Sequence, residues 1–285
     1  PLDPSVQIFL YRTDLFHDAK LCRAYYERFH ENLVVPTTYE QYLHAAEFFT
    51  RSCNPDSPTE YGTTMTCGSA SVAASDFLPF YLSRIDRFGS TPETLRLDCP
   101  EMQAAMRQYH ALEKFSCKQN WWGDSIQKFA EGKTAMTVIY SNYAAELINS
   151  GNSVVVGRVG AAILPGCKPL LGGGIVGISR YSQKAEACKQ FFHWYYSADV
   201  ASLLVRLGGT SPIVDAYEDF QNYSIFPWMN TSKKSFGLGQ RGVINQTPER
   251  FSIPKYEFAV GTAVRSVVQD LMTPEDASRM AQALY

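Results

Sequence analysis

Apolar residues recur along this chain with a mixture of strand-like and helix-like spacing. Residues 5–11 (SVQIFLY) predict a strand. Pro36 then leads into Thr37-Thr38-Tyr39-Glu40, where Thr37 and Glu40 are placed to form a capping box, and Tyr39, Leu43, Ala46 and Phe49 follow at helical spacing. Residues 54–58 are a turn cluster, and 63–74 are small and polar with no assignable period. A helix is expected over 77–85, ending near Gly89. Pro100 suits the first position of another helix, whose stripe is Met102, Ala105, Met106, Tyr109 and Leu112.

Further helices are expected over 121–130, from Ser182 with Ala185, Cys188, Phe191, Phe192 and Tyr195 as its stripe, and after Ser197 up to Gly208. Two more are expected over 256–271, with Ala259, Val260, Ala263, Val264, Val267 and Val268 on the apolar face, and from Thr273 onward. Strands are expected over 134–140, 154–162 and 174–179, while 220–252 reads as a long irregular segment. Strands alternate with helices, so the fold class is α/β.

Composition narrows the function. The 285 residues carry a net charge of −2, which gives no electrostatic basis for nucleic-acid binding. No apolar run approaches the length of a membrane span. Aromatic residues make up 13% of the chain, an excess that suits a surface stacking on ring-shaped ligands. The seven cysteines are odd in number and lack C-x-x-C spacing, which leaves a reducing, cytoplasmic setting open. The histidines form no H-E-x-x-H or H-x-H motif, and Gly-Thr-Ser-Pro at 209–212 is not a nucleophile elbow. No catalytic residue, metal ligand or cofactor is assigned on this basis.

Gly172, Gly174 and Gly177 spell G-x-G-x-x-G, but the context fails the dinucleotide reading. That motif needs a strand before it and a helix at its last glycine, so that free N–H groups face a pyrophosphate. Here two prolines precede it, a strand-like Ile-Val-Gly-Ile-Ser follows, and the helix waits until Ser182. The glycines instead let the backbone pass close to something bulky, either a neighbouring strand or a ligand.

Six segments in order carry a family resemblance. GKTAMTVIYSNYAAEL (132–147) resembles the F-x-x-G-K-x-A-M strand and turn of bacterial extracellular solute-binding proteins of family 1, the sugar-type receptors of ABC importers. VGRVGAAILPG (156–166) is similar to their G-x-x-G-V-x-P-L-P-G segment, and 172–213 to the G-G…I-S-x-x-S…E-A-x-x-F-x-x-W…G-x-x-P stretch. FLYRTDLF (9–16), PTTYEQYLHAA (36–46) and the closing IPKYEFAVGTAVRSVVQDLMTPEDA complete the order.

The resemblance implies a periplasmic-binding-protein-like fold of type II, with two lobes closing on a solute. Residues that precede the 9–16 strand in the family and build most of its first lobe have no counterpart here. The implied organisation is therefore a second-lobe α/β core at 1–169, a return segment into the first lobe at 170–209, and a loop with C-terminal helices packing on the second lobe at 210–285. The implied function is binding of a small polar solute, a sugar or related polyol, for delivery to an ABC transporter permease. A ligand-sensing domain of a larger regulatory protein is the alternative. The implied setting is extracytoplasmic, periplasmic or lipid-anchored.

The resemblance also points to site residues. Asn142, in the turn Tyr140-Ser141-Asn142-Tyr143, falls where the family often presents a Trp, and Tyr143 is placed to supply a ring instead. Gly173 and Gly174 fall where it often has Gly-Trp, and Glu257 aligns with a further stacking position. Trp228 and Trp121-Trp122 are stacking candidates, and Ser69 and Ser71 belong to a cleft-lining segment. Replacement of Trp platforms by Asn, Gly and Glu implies a more polar ligand than a maltodextrin.

Overall fold

A computed structural model describes residues 1–85, 95–149, 151, 153–218, 226–241 and 252–285. The strands are β1 (Asp3–Arg12), β2 (Thr63–Thr66), β3 (Ser116–Gln119), β4 (Met136–Tyr140), β5 (Val159–Ala162) and β6 (Leu171–Gly174). The helices are α1 (Thr13–Phe16), α2 (Ala19–Phe29), α3 (Tyr39–Phe48), α4 (Ala70–Leu82), α5 (Pro100–Glu113), α6 (Trp122–Ala130), α7 (Glu146–Asn149), α8 (Ala185–Tyr195), α9 (Ala198–Arg206), α10 (Met229–Leu238), α11 (Ile253–Val268) and α12 (Pro274–Leu284).

β1 organises the sheet. It pairs antiparallel with β4 along one side, from Gln7–Tyr140 to Tyr11–Met136. Its other side is shared: β5 takes the later half, from Phe9–Ala162 to Arg12–Val159, and β6 the earlier half, from Asp3–Gly174 to Val6–Leu171. Val6, Gln7, Ile8, Phe9 and Leu10 are all fully buried, so β1 is covered on both faces, which explains its near-continuous apolar run. β2 and β3 pair in parallel. β2 lies beside β4 through the Tyr61–Thr134 bridge and the Met136 N–H bonded to Gly62 O.

The core helix α4 is buried all the way from Val72 to Leu82. It packs against α11 and α5, and α5 buries its expected stripe of Met102, Ala105, Met106, Tyr109 and Leu112. Inside this layer Asp76 accepts a hydrogen bond from Tyr109 Oη at 2.7 Å and one from Thr66 N at 3.2 Å. Burial pushes the Asp76 carboxyl up to about 7, against the opposing pull of those two donors.

Several sequence expectations shift. The α3 capping box uses Thr38 and Gln41 rather than Thr37 and Glu40: Thr38 is the extended residue, its hydroxyl accepts from Gln41 N, and the Gln41 side chain reaches back. The glycine-rich strand is 171–174 rather than 174–179, because the glycines pair with β1 while Ile175 beyond them is 90% exposed. The 154–162 strand is confined to 159–162, where β1 still offers a pairing edge. The unassigned 63–74 holds β2 and the start of α4. Residues 229–238, expected to be irregular, form α10, whose buried face of Met229, Ser232 and Ser235 is too polar to show a stripe. The expected helix end near Gly89 lies outside the described residues. All seven cysteines carry free thiols.

Candidate solute-binding cleft

An open cavity of about 330 Å³ forms where the start of β1, the β6 glycines, the first turns of α4 and the exit of β4 converge. Its floor is Asp3 and Ser5 on β1 with Gly172 and Gly173 on β6. Ser71, Val72 and Ser75 face it from α4. Trp121 and Trp122, at the start of α6, meet Tyr140, Asn142 and Tyr143 to form an aromatic wall. Arg241 and Glu257 close the remaining side.

The wall is a set of edge-to-face rings. Trp122 packs on Tyr140 at 4.9 Å and on Trp121 at 4.8 Å, and Trp121 lies 6.5 Å from Tyr143. Trp122 and Tyr140 are buried, whereas Trp121 is half exposed and presents its ring to the opening. Gly172 is the reason the Tyr140 ring can lie over β6: a Cβ there would come within 2.5 Å of that ring and 2.8 Å of Ser5 Oγ. Gly173 has φ +102°, in the region that favours glycine, and a Cβ would meet Asp3 O at 2.3 Å. Gly172 therefore serves close packing of β6 under an aromatic ring, and Gly173 and Gly174 its close approach to Asp3 on β1, rather than a phosphate loop.

Three buried polar atoms in this lining lack a protein hydrogen bond of good geometry: Tyr140 Oη, Trp122 Nε1 and Asn142 Oδ1. Ser75 and Arg241 lie beside Tyr140, but burial dominates and holds the phenol above its ordinary pKa. Opposite, Arg241 donates from Nη2 to Glu257 Oε1 at 2.9 Å and from Nη1 to Leu171 O at 3.0 Å. Burial raises the Glu257 carboxyl above its usual range, while the Arg241 charge opposes the shift.

Of the residues anticipated from sequence, Tyr140, Asn142, Tyr143, Gly173 and Glu257 come together in this cleft, from segments far apart in the chain. Gly174 lies just below it, donating its N–H to Asp3 Oδ1. Ser69 caps α4 by accepting from Val72 N, and its neighbour Ser71 faces the cavity instead. Trp228 is not brought to the cleft. It is buried against Phe226 and lines another cavity with Leu147, Ile148 and Val159. Asp3, Ser5, Ser75 and Arg241 were not anticipated. Ser5 was in principle accessible, since it pairs across from Gly172, but Arg241 sits in a polar stretch with no distinguishing signal.

The sequence pattern of bacterial extracellular solute-binding proteins matches residues 1–228. The chain belongs to this family. Solved structures extend the fold over the rest of the chain. An ABC transporter solute-binding protein from Agrobacterium radiobacter K84 in complex with ribitol superposes with a TM-score of 0.79 at 23% identity, covering 99% of this chain and 69% of that one. One from Agrobacterium vitis S4 with bound D-mannitol gives 0.75 at 18% identity over 100% and 70%. Maltose-bound MalE3 of T. maritima gives 0.77 at 20% identity over 100% and 71%. The solute-binding protein thus has the fold of two-lobed receptors, and the family to which it belongs is an extracellular one. Among the described residues no helix is long and apolar enough to cross a membrane, and no cluster of His, Cys, Asp or Glu is arranged to hold a metal ion.

Proposed function

We propose that this solute-binding protein takes a small carbohydrate or polyol into the cleft lined by Trp121, Tyr140, Asn142 and Glu257, as the receptor component of an ABC importer. The observation that carries this reading is the pairing of unmatched buried polar atoms with an aromatic surface. Tyr140 Oη, Trp122 Nε1 and Asn142 Oδ1 belong to lining residues and lack a well-formed protein bond, so a hydroxylated solute that reaches them as the cleft adjusts gains hydrogen bonds, while Trp121 and Tyr143 offer ring surfaces to the C–H side of the same molecule. Leaving buried polar groups unpaired costs about 1–3 kcal/mol each, so a hydroxylated ligand gains by satisfying them. The ribitol, D-mannitol and maltose carried by proteins of the same fold support the same chemical class.

Within this reading, residues 1–169 form the second-lobe core, 170–209 the return segment, and 210–285 the region packing back on the core. One feature supports the division: α8 in the return segment has no buried residue. The partner is an ABC permease, and the working location is outside the cytoplasm.

The test is a thermal-shift and calorimetric screen against ribitol, D-mannitol, maltose and their monosaccharide relatives. A ligand present at 100 times its dissociation constant adds about 2.7 kcal/mol to the stability of the folded state. A melting shift abolished by Asn142→Ala is the expected result. A cooperative melt that no carbohydrate or polyol moves would overturn the reading.

A further inference from the structure

The charged side chains that line the cleft, among the described residues, are Asp3, Arg241 and Glu257. Two carboxylates and one guanidinium therefore share the lining. The guanidinium is already engaged: Nη2 donates to Glu257 Oε1 at 2.9 Å and Nη1 to Leu171 O at 3.0 Å. The Glu257 side chain is only 10% exposed, so its carboxylate is held against Arg241 rather than dispersed in water. An arginine binds a carboxylate or phosphate tightly when it can offer two parallel N–H bonds to it. Here one N–H of Nη1 and one of Nη2 are already bonded within the protein, and the Glu257 carboxylate sits against the guanidinium as its counter-charge. Asp3, on the floor, accepts the Gly174 N–H through Oδ1 and adds a further negative charge. The rings of Trp121 and Tyr143 on the wall accept the C–H side of a hydroxylated ligand and also attract a cation.

We infer that the cleft selects uncharged and cationic solutes against anionic ones, and that Glu257 sets this selectivity by occupying Arg241. This inference rests on the carbohydrate reading above and specifies its ligand: a neutral sugar or polyol, or one bearing an amino group, rather than a uronic acid or a sugar phosphate. Glu257 is then a specificity residue with a built-in reversal. Once its charge is removed, Arg241 becomes a binding group for the anions that it now fails to hold.

The experiment is calorimetric titration of matched sets that differ only in charge: D-glucose, D-glucosamine, D-glucuronate and D-glucose 6-phosphate, with the corresponding galactose series. The anionic members are expected to bind more weakly than their neutral parent by about tenfold or more, and the amino sugar no more weakly than the parent. Glu257→Gln, which keeps the shape of the side chain, is expected to raise the uronate-to-neutral affinity ratio about tenfold. Asp3→Asn is expected to raise it by a smaller factor, and carries the test should Glu257→Gln fail to fold. Neutral binding with equal or tighter binding of the uronate in the unaltered protein would overturn the charge selection alone. A ratio unmoved by either substitution would overturn the role of these carboxylates. Binding by no member of either series would overturn the carbohydrate reading and this inference together.

Discussion

Gln7 and Pro79 complete one another across the core. Pro79 lies inside α4 and has no N–H, so the carbonyl of Ser75, four residues earlier, loses its helical partner. Gln7 Nε2, fully buried on β1, donates to that carbonyl at 2.7 Å. The other end of the same amide, Oε1, accepts from Leu170 N at 2.9 Å, just before β6 begins. One side chain thus ties the central strand, the core helix and the approach to the glycine strand, and Ser75 itself lines the cleft.

Gln7→Leu leaves both the Ser75 carbonyl and the Leu170 N–H unpaired, and is expected to destabilise the fold by about 2–4 kcal/mol. Pro79→Ala restores an N–H for Ser75, so Gln7→Leu is expected to be milder in that background. Urea unfolding of the four proteins of the cycle measures the difference; strictly additive effects would contradict the coupling.

Two glycine substitutions of opposite sign follow from helix packing. At Gly261 in α11 a Cβ would meet Ala70 O at 1.7 Å, so Gly261→Ala is expected to push α11 off α4 and destabilise by about 1–3 kcal/mol or more. At Gly237 in α10 a Cβ meets nothing within 4 Å, so Gly237→Ala is expected to stabilise by about 0.4–1 kcal/mol. Melting temperatures of the two variants should move in opposite directions.

The pH dependence of stability should carry the mark of Asp76. Its carboxyl is raised from 3.8 to about 7 in the folded protein, so the folded state holds a proton that the unfolded chain releases earlier. Stability from this group is fully present below the unfolded value and is lost as pH rises through the folded one. Asp76→Asn is expected to remove that downward slope across the interval between about pH 4 and 7, read as urea midpoints against pH. Asp14 and Glu31 are held low by Arg12 and by Tyr25 with His44 and slope the other way, so the difference between variant and parent is the informative curve.

Tyr140→Phe should separate binding from stability. The hydroxyl removed is buried and lacks a well-formed protein bond, while the ring keeps its contacts with Trp122 and Gly172. The unliganded protein is therefore expected to be as stable as the parent or slightly more so, while affinity for its solute falls about five- to tenfold. Equal losses of stability and affinity would show instead that the hydroxyl is structural. Gly172→Ala is the contrasting variant. It displaces the ring and is expected to reduce both.

The sequence disclosed the parts of this molecule in which polarity tracks burial. The α5 and α11 stripes, β1 and β4 were readable because apolar side chains mark the buried face. β2 was not, because its buried face is threonine: Thr64 pairs with Thr137 at 2.7 Å and Thr66 with Ser125 at 2.8 Å, so a core strand looks like a loop. α4 was found only in its later half, because a helix buried all round shows no stripe. In the site, the turn 140–143 stood out through its resemblance to a known segment. Arg241 had no such marker, and its role exists only through the distant Glu257.

The pairing of β1 also sets the order in which the chain can acquire its structure. Among the described residues, Tyr11 must wait for Met136, and Val6 for Leu171, before β1 gains a sheet partner. At a synthesis rate of about 5–20 residues per second, the first of those partners emerges roughly 6–25 seconds after the strand it completes. During that interval Val6, Ile8, Phe9 and Leu10 form an adhesive, unpaired ribbon in the nascent chain. A holding chaperone that keeps this ribbon covered would also keep the sheet around β1 from closing until β4, β5 and β6 have emerged.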